Sequence, residues 1–147
     1  RPWMKSAETA DEVISQMSNF KFVRLNLAGG DMVGHTANVD ATIMAMEAID
    51  LALSRIAEEV DKLGGVLVIV ADHGNAEELL DADGNKKTAH TTNQVPFIIY
   101  DNTKNRGEYE VSDVLNPGLS NVAGTIATLL GYKDYPSSWS KSLIKVI

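Results

Sequence analysis

Two periods of apolar residues run through the chain, and they divide it into helices and strands. Val13, Ile14 and Met17 lie at helical spacing behind a Thr9-to-Glu12 capping pattern and predict a helix over 6–18. From Phe20 to Leu27 the period drops to two, with Val23, Leu25 and Leu27 alternating with Arg24 and Asn26. That alternation predicts a strand, ended by Gly29-Gly30. Ile43, Met46, Ile49, Leu53, Ile56, Val60 and Leu63 then return to steps of three and four and predict a long helix over 39–63. Glu58, Glu59, Asp61 and Lys62 fill its other face, Met44 and Met46 are expected as core filling, and Gly64-Gly65 is the stop. The unbroken aliphatic run Val66 to Val70 suits a central strand covered on both faces. Strand, helix and strand together predict a βαβ unit with a right-handed crossover.

Beyond Asn75 the chain is polar as far as Lys87. Asp81-Ala82-Asp83-Gly84-Asn85 predicts a turn with Asp-Gly at its tip, since the further ligands and the terminal Glu of a calcium loop are missing. A strand follows over Val95 to Tyr100, with Pro96 near its start, where a lost amide donor does least harm. Residues 101–118 read as loop with one short strand near 109–111, and 120–130 as a helix with Ser120 as N-cap and Gly131 as stop. Gly118 to Val122 falls one glycine short of a nucleophile elbow and has no strand before it. The fold class is therefore α/β, layered helix-sheet-helix.

Composition narrows the chemistry. A chain of 147 residues is the size of one ordinary domain, and it contains no apolar stretch long enough for a membrane span or a secretory signal. We expect a cytoplasmic protein without membrane partners. Cysteine is absent, so disulfides and thiolate ligands are excluded and any metal must be held by imidazole and carboxylate. A net charge of -7 argues against a nucleic-acid surface. A small phosphorylated substrate fits only where metal ions provide the positive charge.

The three histidines all fall at strand boundaries. Asp31 and His35, four apart, can be aimed at one point by a turn of helix; Asp72 and His73 follow the Val66–Val70 run; His90 precedes the Val95–Tyr100 run. Gly34 and Gly74 beside two of these groups permit close backbone approach. Taken singly, each motif also reads as a capped loop or a solvated turn. Their convergence on one sheet edge points to a shared site for Mn, Fe, Co or Zn.

The motifs Asp31-Met32-Val33-Gly34-His35-Thr36, Ala71-Asp72-His73-Gly74-Asn75-Ala76-Glu77 and Ala89-His90-Thr91-Thr92-Asn93, followed by Val95-Pro96, resemble those of the cofactor-independent (2,3-bisphosphoglycerate-independent) phosphoglycerate mutases, in the alkaline phosphatase superfamily. The resemblance covers nearly the whole chain. It implies that Asp31, His35 and His90 belong to one manganese site and Asp72 and His73 to a second. It also implies that an Asp and the nucleophilic Ser completing the second site, and the inserted phosphotransferase domain that grips phosphoglycerate, lie outside residues 1–147. The expected domain assignment is thus the C-terminal portion of a metal-binding phosphatase-type domain, an incomplete alkaline phosphatase-like fold. Expected activity is interconversion of 3- and 2-phosphoglycerate through a phosphoserine, with two divalent ions and no 2,3-bisphosphoglycerate. The chain alone is expected to be inactive, with no catalytic residue of its own, and the full-length enzyme monomeric. An unprotected sheet edge in the shorter chain would favour self-association.

Two departures stand out: Asn26-Leu27-Ala28-Gly29-Gly30 where the family usually has Asn-Tyr-Ala-Asn-Pro, and Ala37 where Gly is common. Neither touches a matched ligand. The alternatives are another phosphatase or phosphotransferase of the same superfamily, and a metal-stabilised module without catalysis.

Overall fold

In the computed structural model, which describes residues 1–147, the longest helix starts where a side chain can cap it. Asn38 accepts a hydrogen bond from the Ala41 amide at 2.9 Å, and the helix runs Val39–Lys62 (α3). Gly64, at φ +64°, reverses the chain after the C-cap Leu63, so the predicted stop holds. α3 is packed by Ser6–Gln16 (α1) and Gly29–Gly34 (α2). Its buried residues are Thr42, Ala45, Ala52 and Ile56, one position off the larger apolar stripe over the first half of the helix. Met44 and Met46 are 50% and 44% exposed and are not core residues, a correction with a steric cause. Ala45 and Ala52 let neighbouring backbones approach where methionine would hold them off: a Cβ on Gly29 would stand 3.4 Å from Ile49 Cδ1 and 3.6 Å from Ala45 Cβ.

The chain forms two compact units, residues 1–101 and 102–147. In the first, Ala10, Met17, Ala52 and Ile56 are the buried centre, with Val13, Ile14, Leu25, Leu27, Val60 and Leu67 packed around them. α1 begins at Ser6 with Lys5 as an N-cap that makes no side-chain bond, so Thr9 lies inside the helix and the expected capping box is not formed. Arg55 of α3 pairs with Asp11 of α1 across the exposed side.

The sheet departs from the expected βαβ unit. Val66–Val70 (β1) forms where predicted, but it pairs antiparallel with Phe97–Asp101 (β2), in register from Val66 opposite Asp101 to Val70 opposite Phe97. Residues 20–27 form no ladder: Leu25 and Leu27 turn into the core as the alternation predicts, while the segment has no strand beside it. β1 is also less covered than its sequence suggests, with Val66 and Val70 37% and 41% exposed, because only one strand adjoins it. The α/β class itself stands. Between β1 and β2 the excursion 71–96 is pinned by two isolated antiparallel bridges, Gly74 with Thr91 and Leu80 with Lys86. The predicted turn lies at its tip: Gly84 has φ +82°, and Asp81 Oδ1 accepts the amides of Asp83 and Asn85 at 2.9 and 2.8 Å. Those bonds occupy the carboxylate that a calcium loop would aim at its ion.

In the second unit Tyr109–Val111 (β3) pairs antiparallel with Ile144–Val146 (β4). Val122–Leu129 (α4) follows a single 3₁₀ turn over Leu119–Asn121. Ser120 sits inside that turn and bonds Ser140, so it is not the N-cap; Asn121 takes the organising role, accepting the Gly118 amide at 2.8 Å and donating to Lys141 O at 2.7 Å. Thr125 is fully buried, donates to Asn121 O and accepts the Leu143 amide at 2.9 Å, which fixes the C-terminal segment to α4. No helix of the chain is long and apolar enough to cross a membrane.

Ile56 is 1% exposed at the centre of the first unit, whereas Ile43 on the same helix is 50% exposed. Ile56→Ala should lower unfolding stability by about 2–5 kcal/mol. Ile43→Ala should cost under about 1 kcal/mol, comparable to other surface changes. Urea titrations followed by circular dichroism will show equal losses if α3 does not bury the face assigned to it.

Candidate metal centre

α2 is only six residues long, and it presents Asp31 and His35 on adjacent turns. Asp31 Oδ1 lies 3.1 Å from His35 Nε2 and 3.1 Å from His90 Nε2, and those two nitrogens are themselves 3.1 Å apart. Three donors each ~2.1 Å from one ion, at near right angles, would stand about 3 Å from one another. The donor triangle therefore has the dimensions of one face of a metal site, and the three ligand atoms lie within 4.8 Å of each other.

Hydrogen bonding determines which imidazole nitrogens are free. His35 Nδ1 lies 2.5 Å from Thr88 O, and a carbonyl only accepts, so Nδ1–H is the donor and Nε2 carries the lone pair of the neutral ring. An imidazole lone pair facing a carboxylate oxygen at 3.1 Å is repulsive unless a cation or a proton stands between them. His73 follows the same rule more loosely, donating from Nδ1 to Gly74 O at 3.3 Å. Its ring stacks on His90 with centroids 3.6 Å apart and planes at 17°. Asp72 lies 3.6 Å from His73 Nε2 with its side chain 89% exposed, and it is not gathered with Asp31, His35 and His90. So the structure clusters Asp31, His35 and His90, sets His73 beside them, and leaves Asp72 in solvent.

Residues without an assigned role in the sequence reading hold this arrangement. Asn75, 4% exposed, donates from Nδ2 to Asp31 Oδ1 at 2.9 Å and to Asp31 O at 3.3 Å. Both partners only accept, so the amide orientation is fixed and its carbonyl is turned, without a hydrogen-bond partner, toward Gly34. A Cβ at Gly34 would meet that oxygen at 2.5 Å, which is why the motif has glycine there. Burial pushes the Asp31 carboxyl up, and the Asn75 amide, with the nearby His35, His90 and His73 rings, more than offsets it, leaving the group below its usual range.

Glu77 is the second such residue. Its Oε1 accepts the Thr91 hydroxyl and, at 3.1 Å, Asn93 Nδ2, while Oε2 accepts the Asn75 amide at 2.6 Å. The Thr91 hydroxyl first, with the Asn93 and backbone donors added, holds this carboxyl down at about 2 against burial that would raise it. The sequence signal was an acid and an Asn directly after a ligand-bearing glycine turn, matched by Thr-Thr-Asn after His90.

Residues 1–134 match the family model described as the Metalloenzyme superfamily. Among curated proteins, the chain is 39% identical over its full length to the "Probable 2,3-bisphosphoglycerate-independent phosphoglycerate mutase 2" of Arabidopsis thaliana. It is 42% identical over 98% of its length to the 2,3-bisphosphoglycerate-independent phosphoglycerate mutase of Akkermansia muciniphila. The alignments span 29% and 27% of those proteins, so the chain corresponds to less than a third of either. Among solved structures, that of Leishmania mexicana phosphoglycerate mutase at low cobalt concentration superimposes with a TM-score of 0.88 at 33% identity, covering all of this chain and 29% of that one.

A carboxyl depressed from 4.5 to about 2 stabilises the fold in its charged form. The contribution of Glu77 is complete above its unfolded value and disappears as pH falls through its folded one. Glu77→Gln should therefore flatten the acid limb of stability between about pH 4.5 and 2, leaving the slope above pH 5 unchanged. Unfolding midpoints in denaturant, collected across that range for both proteins, test it; parallel limbs would contradict the assignment.

Proposed function

This chain belongs to the metalloenzyme superfamily, and from that premise we propose that it is part of a 2,3-bisphosphoglycerate-independent phosphoglycerate mutase and supplies ligands of its dimetal centre. The observation that carries the reading is the triangle of Asp31 Oδ1, His35 Nε2 and His90 Nε2 with 3.1 Å edges, the dimensions of one face of a metal site. These three hold one divalent ion, and Asp72 and His73 contribute to a second. Manganese suits the mixed imidazole and carboxylate donors. Ions held by these residues would supply the positive charge that neutralises phosphoryl oxygens and lowers the pKa of a hydroxyl nucleophile.

The nucleophile is a serine outside residues 1–147. The phosphoryl group leaves the 3-oxygen of phosphoglycerate for that serine and returns to the 2-oxygen, so the net reaction is an isomerisation and needs no 2,3-bisphosphoglycerate. The residues of this chain act by orientation and charge. Thr88 O holds the His35 ring with Nε2 toward the site, and Asn75 holds the Asp31 carboxylate in its ionised form. The chain carries a net charge of -7, and Asp31 and Asp72 would repel a phosphate unless cations reverse the local sign. The substrate is a small phosphoglycerate, and we place the full protein in the cytoplasm as a monomer.

A calorimetric titration of the chain with manganese near neutral pH should show binding that His35→Ala weakens by more than about 100-fold, since removing a ligand exceeds the effect of removing its support. His73→Ala should spare the tighter site. In the full-length protein His35→Ala should abolish mutase turnover. Hydrolysis of general phosphomonoesters without isomerisation by that protein would instead assign it to another phosphatase chemistry of the superfamily.

A further inference from the structure

We propose that Glu77 is a positioning residue of the metal centre, whose carboxylate ties the loop carrying His73 to the loop carrying His90 and so sets the two imidazoles face to face. The inference rests on the metal-centre reading and extends it to a residue that is not itself a ligand. Glu77 is outside the ligand cluster, and both of its oxygens are already engaged. One oxygen takes the backbone amide of Asn75, two residues past His73; the other takes Thr91, the neighbour of His90, together with Asn93.

Apart from this carboxylate, the two loops are joined at this level by a backbone bond, Thr91 N–H to Gly74 O at 2.9 Å, and by Glu78, which reaches Asn93 at 3.2 Å and Lys87 at 2.7 Å. The Glu78 backbone amide donates to Asn75 O at 3.2 Å, but its carboxylate reaches only Lys87 and Asn93, so that side chain braces the outer end of the excursion. Gly74 completes the argument. A Cβ there would collide with the Glu77 carboxylate and the Thr91 hydroxyl, so the tie is closed tightly over the backbone between His73 and Asn75. The rings it separates are stacked at 3.6 Å, and a small relative slide of the loops would move His90 Nε2 off the triangle it shares with Asp31 and His35.

The test compares Glu77→Ala, Glu77→Gln and Glu78→Gln with the parent chain in manganese titrations, in melts without metal and in amide exchange at Asn75 and Thr91. Glu77→Ala should weaken manganese binding by about 10–100-fold, the usual range for losing a ligand's support. It should also speed exchange at both amides, and its metal-free melting point should fall by the stability its charged carboxylate contributes. Glu77→Gln retains one acceptor oxygen and should fall between Ala and the parent. Affinity of Glu77→Ala within twofold of the parent, or an equal loss in Glu78→Gln, would overturn the proposal. If the parent itself takes up no manganese, the metal-centre reading fails, and exchange judges the tie separately: acceleration at Asn75 and Thr91 upholds it, unchanged rates remove it.

Discussion

One oxygen atom constrains the head of the first unit. Asp31 Oδ1 is shared by the Asn75 amide at 2.9 Å and by two imidazole nitrogens at 3.1 Å. A partly desolvated carboxylate is costly without donors, and only the amide is an unconditional one. The two nitrogens can satisfy the oxygen by carrying protons or by sharing a cation with it. With the Nδ1 proton of His35 donated to Thr88 O, its Nε2 is the nitrogen turned toward Asp31 Oδ1, in the orientation a shared cation would need.

That oxygen is held in place by backbone proximity, and small residues make the proximity available. A six-residue helix such as α2 has little stability of its own. It is held through Gly29, which lies against Ala45 and Ile49 of α3, and through Gly34, whose missing Cβ leaves room for the Asn75 carbonyl. Gly74 does the same under Glu77 and Thr91. The three glycines are thus sites of close approach, and none of them is used for a left-handed turn, the role taken by Gly64, Gly84 and Gly131.

The sequence made these contacts legible only in part. Helix α3, its glycine stop and strand β1 are local properties of the chain, set by periodicity and by one backbone conformation, and they were read to within a residue. The juxtaposition of Asp31 with His35 is equally local. What α3 buries was misread over its first half because large apolar residues announce themselves, whereas Ala45 and Ala52 bury by letting neighbours come near. The 20–27 segment was read as a strand because alternation records which side chains face inward, and it does record that for Leu25 and Leu27. Alternation is silent on whether another strand lies alongside. Asn75 and Glu77 escaped for a different reason: their importance comes from Asp31, 44 residues from Asn75, and from Thr91, 14 residues from Glu77.

The direction of strand pairing is the part that most affects the site. A parallel arrangement of β1 with the segment before α3 would explain Asp31 and Asp72 at one sheet edge, but it says nothing of His90. In the antiparallel pair, Val70 stands opposite Phe97, and the chain between them continues as an irregular ribbon with Gly74 opposite Thr91 and Leu80 opposite Lys86. Each closure is short once the previous one is made, so bringing His90 back to His73 requires little further loop entropy after β1 and β2 have paired. His73 and His90 flank the middle bridge, one before Gly74 and one before Thr91, which is why their rings stack. The ribbon thus brings His90 to Asp31 and His35. A ladder of isolated bridges tolerates slippage, however, because few backbone bonds fix its register. Side-chain ties across the ribbon, from Glu77 to Thr91 and Asn93 and from Glu78 to Asn93 and Lys87, supply what the backbone lacks.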